Sequence, residues 1–166
     1  MYRVLNDFFE DWKYESESTL KLFNNITDES KNQKVTQEGR SLGFIAWHIT
    51  QSIPEMMQRT GLDFAGFDEY LPEPNSFSGI VSRYKKYSDE LFSQLEKKWS
   101  DIDLNENINM YGENWKKGKV LSVLIIHQAH HRAQMTVLMR QAGLLVPGVY
   151  GPSREEWAAM KMDPQM

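Results

Sequence analysis

Residues 119–142 read KVLSVLIIHQAHHRAQMTVLMRQA, and the fold class can be worked out starting from this segment. It is long enough for about seven turns at 3.6 residues per turn, and it is the most apolar of four segments with helical periodicity. Gly143 follows directly, and glycine is typical of the position just past a helix end. The sequence therefore predicts a long apolar α-helix over about 119–142.

Three other segments repeat apolar residues at steps of three and four, which is the period of one buried helix face. They cover about residues 2–26, 44–59 and 76–99. Pro54 lies inside the second segment, so we expect a kink or a break there. Four helices, each about 25–38 Å long, favour an all-α four-helix bundle in a single domain spanning residues 1–166.

The connections between these helices hold most of the proline and glycine. Residues 60–75 contain two of each and cannot form one long helix. The polar stretch 101–118 predicts a short hairpin, and residues 144–152 read as irregular. Ser153 and Glu156 have the spacing of a capping box, which predicts a short last helix through about Met160.

Composition excludes several classes of function. The 166 residues are 40% hydrophobic and 25% charged, with a net charge of −4; this fits a soluble domain and does not favour nucleic acid as a partner. Because the chain has no cysteine, it cannot build a disulfide framework, a thiolate metal site or a cysteine nucleophile. No apolar run approaches the roughly 18 residues of a membrane span and no signal peptide is evident, so we expect a cytoplasmic protein that does not bind membranes.

The four histidines carry most of the functional signal. His127 and His131 are four residues apart, so their side chains leave one helix face about one turn apart and can share a metal ion. The third ligand must come from another element, and His48 on the second helix is the remaining candidate. His130 points about 100° away from the pair, while Gln134, three residues after His131, could support a ligand.

A purely structural interpretation competes with this metal site. A single histidine on an amphipathic helix is more often a packed or interface residue than a ligand. Three histidines within five residues of an apolar helix favour a shared role, since burying them otherwise costs solvation free energy. Spacing alone leaves both interpretations open.

The sequence resembles the DinB-like (DinB/YfiT) superfamily of metal-dependent enzymes. The resemblance lies in His127-Gln-Ala-His-His-Arg-Ala-Gln134, in Leu138-Met-Arg-Gln-Ala-Gly143 and in Val146-Pro-Gly-Val-Tyr-Gly-Pro-Ser-Arg-Glu-Glu-Trp157. The earlier Leu42-Gly-Phe-Ile-Ala-Trp-His48 is similar to the first histidine motif of the family, and Phe8-Phe-Glu-Asp-Trp12 resembles its opening helix more loosely. The resemblance thus covers nearly the whole chain.

This resemblance implies an up-down-down-up four-helix bundle with a divalent metal, zinc or nickel, held at one end. It places the three ligands on His48, His127 and His131, and leaves His130 outside the metal shell. Catalytic residues are not identified by it.

The resemblance implies two reactions on a small-molecule substrate. The first is transfer of a low-molecular-weight thiol onto an electrophile; the second is hydrolysis by metal-bound water, for which Glu55 is a weak candidate base. We rank the transferase first because the chain offers no convincing general base. Tyr111 and Trp115 could line the mouth of the site, although ordinary packing is the commoner role for such residues.

A third interpretation is a metal-binding stress or interaction module without turnover. The apolar helices also predict a homodimer.

Overall fold

A computed structural model describes residues 1–163. Within them the chain forms four long α-helices, a short fifth helix and one β-hairpin. The elements are α1 (Leu5–Phe23), α2 (Leu42–Gln58), α3 (Phe77–Lys98), β1 (Asn107–Met110), β2 (Glu113–Lys116), α4 (Lys117–Gln141) and α5 (Arg154–Ala159), with 3-10 turns at Ser30–Asn32 and Asp103–Asn105. The expected four-helix bundle is confirmed, and each helix lies within about three residues of its predicted bounds.

Helix α4 packs against both α1 and α2, and α2 also packs against α3. The apolar faces predicted from periodicity form the core, which includes Phe8, Trp12, Ile49, Ile53, Tyr84, Leu91, Leu124 and Met135. Helix α4 also carries apolar residues on its outer side, where Ile126 is 65% exposed and Val137 is 54% exposed. Within residues 1–163, no helix combines the length and apolar character that crossing a membrane requires.

The helix ends follow from local sequence. The Ser41 hydroxyl accepts a hydrogen bond from the Phe44 amide at 3.1 Å and so caps α2. Gly143 has φ +71°. Its backbone amide donates to the Arg140 carbonyl, and the Leu144 backbone amide donates to the Met139 carbonyl. This pair of bonds is the Schellman motif, so the predicted stop at Gly143 is confirmed.

Pro54 is buried within a continuous α2, so of the expected kink or break, the break does not occur. Proline removes the amide that would bond the carbonyl four residues earlier, yet the helix runs on to Gln58. The carbonyl that loses its amide partner is that of Thr50, a buried residue. The neighbouring Ile49 carbonyl accepts hydrogen bonds from the Ser52 hydroxyl at 2.8 Å and from the Gln128 side-chain amide at 2.9 Å. Packing of α2 against α3 and α4 therefore outweighs the local cost of the proline.

The predicted hairpin is confirmed as β1 and β2, paired antiparallel with Met110 opposite Glu113. Its two-residue turn consists of Tyr111 and Gly112, at φ +57° and +87°. Two consecutive positive φ values are typical of a type I′ turn, for which Asn-Gly is the favoured pair. A tyrosine in the left-handed region is uncommon and carries some conformational strain.

The predicted short helix forms as α5, but its capping box is only half made. The Glu156 carboxylate accepts a hydrogen bond from the Ser153 amide at 3.1 Å and another from the Gly148 amide at 2.9 Å. These two bonds are the main reason that the pKa of Glu156 is lowered. The Ser153 hydroxyl has no partner in the described part of the chain, because the Glu156 amide bonds the Ser153 carbonyl instead.

A buried ion pair joins α4 to α1. The Arg132 guanidinium bonds the Glu15 carboxylate, and both residues are buried. Arg132 also donates to the Thr19 hydroxyl at 3.0 Å, while the Tyr150 hydroxyl donates to Glu15 at 2.9 Å. The segment after α4 is thus fastened across the bundle through a charged network.

Candidate metal centre

The structure brings together the three histidines predicted as ligands. His48 comes from α2, while His127 and His131 come from one face of the adjacent α4. The Nε2 atom of His127 lies 3.2 Å from Nε2 of His48 and 3.2 Å from Nε2 of His131. One nitrogen of each ring lies within 4.8 Å of the others.

These separations fit a shared metal ion. Two nitrogens that each lie about 2.05 Å from one tetrahedral zinc ion are about 3.3 Å apart, close to the observed 3.2 Å. Three nitrogens leave at least one position of such an ion open. The three-histidine group could therefore hold a divalent metal and still admit a further ligand.

The electrostatics of the three rings favour their neutral forms. Burial, followed by the neighbouring histidines, lowers the pKa of His48 and of His127 to about 4. Burial also lowers the pKa of His131, although its hydrogen bond to Gln134 acts in the opposite direction. Because only neutral imidazole offers a lone pair to a metal, the rings are ready to bind an ion at neutral pH.

Gln134 supports this arrangement in the way that its spacing predicts. Its Oε1 lies 2.8 Å from Nδ1 of His131. When His131 carries its proton on Nδ1, it donates to Gln134 and leaves the Nε2 lone pair directed at the other two rings. The Gln134 amide donates in turn to Nε2 of His130 at 3.1 Å, and His130 is exposed and stands outside the three-histidine group.

Gln128 is a supporting residue that sequence reasoning missed. Its side-chain amide donates to the Ile49 backbone carbonyl at 2.9 Å and to the Ser52 hydroxyl at 3.1 Å. Its side-chain oxygen accepts from the Tyr84 hydroxyl at 3.2 Å. Gln128 follows His127 and Ile49 follows His48, so this bond fixes the register of α2 and α4 beside the site. A buried glutamine between histidines on an apolar helix is the sequence signal that could have revealed it.

A cavity of about 460 Å³ opens beside His48 and His127. Its walls include Glu55 and Tyr111, which were weak candidates from the sequence, together with Phe67. Trp115 is not among its lining residues. The Trp115 ring instead packs against Tyr111 with centroids 6.2 Å apart and receives the Lys119 ammonium at 4.0 Å.

Glu55 is not a free base in this cavity. One of its oxygens accepts a hydrogen bond from the Tyr111 hydroxyl at 2.7 Å, and the other pairs with the Arg59 guanidinium at 3.0 Å. The guanidinium also lies 4.7 Å from the centre of the Tyr111 ring. Burial and the neighbouring carboxylate raise the pKa of Tyr111, so its hydroxyl stays protonated at neutral pH.

Comparison with known proteins agrees with this fold. A family model described as the DinB family matches residues 1–166. Uncharacterized protein YrdA of Bacillus subtilis strain 168 is 43% identical over 163 residues, which cover 98% of each chain.

Two crystal structures resemble the chain. A DinB-like protein from Bacillus cereus ATCC 10987 has a TM-score of 0.87 and 43% identity, over 90% of this chain and 100% of the other. The DinB-like protein YjoA of Bacillus subtilis has a TM-score of 0.70 and 15% identity, over 89% and 99%. At that lower identity the similarity shows the fold alone.

Proposed function

The chain belongs to the DinB family, and on that premise we propose that it is a metal-dependent transferase. His48, His127 and His131 would hold one divalent ion, zinc or nickel. The reaction would transfer a low-molecular-weight thiol onto a small electrophilic substrate. The observation that carries the proposal is the convergence of three imidazoles at the edge of a cavity, with Nε2 of His127 3.2 Å from Nε2 of His48 and 3.2 Å from Nε2 of His131.

Different residues of this chain have different roles in such a site. A bound divalent ion lowers the pKa of a coordinated thiol or water, which supplies the nucleophile at neutral pH. Gln134 orients His131, and Gln128 holds α2 against α4 so that His48 faces the other two ligands. The apolar side of the cavity, including Phe67, would exclude water from a bound organic molecule.

The state of Glu55 favours the transferase over the hydrolase. A hydrolase gains from a carboxylate that is free to accept a proton from the attacking water. Both oxygens of Glu55 are already engaged, by Tyr111 and by Arg59. A thiol has an ordinary pKa of about 8.5, far below the value of about 15.7 for water, so it ionises on coordination with less need of a base, and the arrangement of Glu55 supports thiol transfer.

Metal content tests the first half of the proposal. We expect about one zinc or nickel ion per chain in protein purified without an affinity tag or added metal. His48→Ala, His127→Ala and His131→Ala should each lose it, because two imidazoles hold such an ion far more weakly than three. His130→Ala is the matched control and should keep the metal, since His130 lies outside the group.

Two outcomes would contradict this assignment. Unchanged metal affinity in His48→Ala would place the ion on α4 alone. If the unaltered protein took up no metal on titration, the histidines would have a packing role only.

Turnover then separates the proposed reaction from its alternatives. With metal-loaded protein, thiol transfer predicts consumption of an electrophile that depends on both the metal and an added thiol. A hydrolase would release product without thiol, at a rate that rises with pH as coordinated water loses its proton. A binding module would keep the metal and turn over neither kind of substrate.

Two further expectations from the sequence remain proposals. A homodimer is supported by the exposed apolar residues of α4, Ile126 and Val137, because soluble monomers seldom expose large apolar patches. Sedimentation equilibrium of the unaltered protein and of Ile126→Lys would test it, the variant shifting toward monomer. Cytoplasmic location is the second.

A further inference from the structure

The cavity beside the histidines has an uneven distribution of charge. The ionisable side chains at its wall include His48, His127, Glu55 and Glu69, and no lysine or arginine among residues 1–163 contributes to its lining. Arg59, the residue directly after α2, turns its guanidinium to Glu55 and to the face of Tyr111. An organic ligand in this cavity would therefore meet carboxylates and no free cation.

The two carboxylates differ in how they are engaged. Glu55 is bonded by Tyr111 and paired with Arg59, so its charge is largely compensated. Glu69 is exposed at the cavity rim and makes no ion pair or side-chain hydrogen bond within residues 1–163. Glu55, Glu69 and Arg59 together leave one net negative charge at the rim.

The histidine side of the cavity has a different character. His48 and His127 are neutral ligands, so they would leave the full charge of a divalent ion to attract an anionic donor atom. Arg40, whose charge also acts on His48 and His131, lies in a separate cleft with Gln134. With an ion bound, the cavity would be cationic at the histidines and anionic at Glu69, and the rest of its lining includes the apolar residues Met56, Phe67 and Val123.

We infer that this cavity selects a dipolar thiol, one that places its sulfur at the histidines and a protonated amine against Glu69. This inference rests on the proposed thiol chemistry and adds the charge of the ligand to it. An aminothiol matches both the histidine group and Glu69, because its thiolate is drawn to the metal and its ammonium to the unpaired carboxylate. A thiol that carries a carboxylate at the same position would be repelled by Glu69.

Matched thiols of increasing length test the inference on the cobalt(II)-loaded protein. Three series are titrated, ω-aminoalkanethiols, unsubstituted alkanethiols and ω-mercaptocarboxylates, each with two to six methylene groups. The sulfur-to-cobalt charge-transfer absorption reports coordination directly and does not depend on turnover. Glu69→Gln is the test variant, and Glu96→Gln is the control, since Glu96 is an exposed carboxylate on α3 outside the cavity.

At the best chain length we expect the aminothiol to bind about fivefold more tightly than the alkanethiol of that length, the upper range for an exposed ion pair. The mercaptocarboxylate should bind more weakly than both. Glu69→Gln should bring the ratio of aminothiol to alkanethiol affinity to about one, and Glu96→Gln should leave it unchanged. A preference that reaches a maximum at one length would locate the ammonium at a fixed distance from the metal.

The result that would overturn the charge selection differs from the result that would overturn the thiol chemistry. If the three series bind equally at every length, or if the aminothiol preference survives in Glu69→Gln, the charge selection is wrong while thiol coordination stands. If none of the thiols produces the charge-transfer absorption, the proposed thiol chemistry fails and the inference fails with it.

Discussion

At the scale of single residues, one glutamine gives two neighbouring histidines different roles. His130 and His131 are adjacent in sequence, with ring centroids 4.8 Å apart. The Gln134 carbonyl faces Nδ1 of His131 while its amide donates to Nε2 of His130. The first contact leaves the His131 lone pair directed at the site, whereas the second occupies the lone pair of His130. Helical rotation points the two rings in different directions, and the hydrogen bonds of Gln134 leave only His131 with a lone pair directed at the site.

Replacing Gln134 should therefore weaken metal binding without changing the ligands. We expect Gln134→Ala to lower the metal affinity about 10- to 100-fold, as loss of a residue that orients a metal-bound histidine commonly does. Gln134→Glu keeps an acceptor for Nδ1–H and should retain most of the affinity. Competition with a chelator of known affinity measures both variants. Equal affinities for Gln134→Ala and the unaltered protein would show that packing alone orients His131.

At the scale of elements, the site is a property of how α2 and α4 are held together. Periodicity predicted both helices, and helical spacing selected His127 and His131, because both depend on local geometry. The pairing of His48 with them rested on its being the remaining candidate and on the family resemblance. The bond from Gln128 to the Ile49 carbonyl could not be read from sequence, since it joins residues 79 apart along the chain.

The hairpin also has a tertiary contact that local sequence could not predict. Its place between α3 and α4 was predicted from the polar stretch and its glycines. That its turn places the Tyr111 hydroxyl 2.7 Å from Glu55 depends on tertiary packing across 56 residues. The unfavourable positive φ of Tyr111 marks a position where cavity geometry outweighs the local turn preference.

The stability of the bundle should be sensitive to a single substitution in the ion pair between α1 and α4. Arg132→Met leaves the Glu15 carboxylate buried without its cation, and breaking a buried pair in this way costs about 3–5 kcal/mol. We expect a corresponding fall in the free energy of unfolding, measured by urea denaturation. The double variant Glu15→Leu with Arg132→Met should recover much of the loss, because no unpaired charge remains. If the double variant were less stable than Arg132→Met, the Glu15 carboxylate would be stabilised by the Tyr150 hydroxyl rather than by the ion pair.

At the scale of the whole molecule, the candidate site links metal binding to folding. His48 and His127 are 79 positions apart, so an ion held by both would crosslink two helices that are distant in sequence. An unfolded chain does not hold these rings together, and a ligand that binds only the folded state raises its stability. At a metal concentration 100 times the dissociation constant the gain is about 2.7 kcal/mol. For a protein of this size that is a rise in Tm of about 5–10 °C.

The stability of the metal-free protein should fall as the pH is lowered from about 6.5 to about 4. The pKa of His48 and of His127 is about 4 in the folded protein, below the ordinary value of 6.5. Between these values the unfolded chain binds more protons than the folded one, so protonation favours unfolding. The stability that the neutral rings permit is fully present above pH 6.5 and is lost as the pH falls through the folded pKa.

Thermal unfolding between pH 5 and pH 7, with and without metal, measures both effects. The rise in Tm given by the metal should shrink toward pH 5, because protons compete with the ion for the same nitrogens. His127→Ala should lack the metal-dependent rise and show a weaker fall in Tm across this range, since one of the titrating rings is gone. The pKa of Glu155 is lowered from 4.5 to about 2, so its contribution to the pH dependence falls mainly below pH 5. A metal-free Tm that stayed constant from pH 7 to pH 5 would mean that the histidines are solvated in the folded protein. Burial would then not keep the three rings neutral before the metal binds.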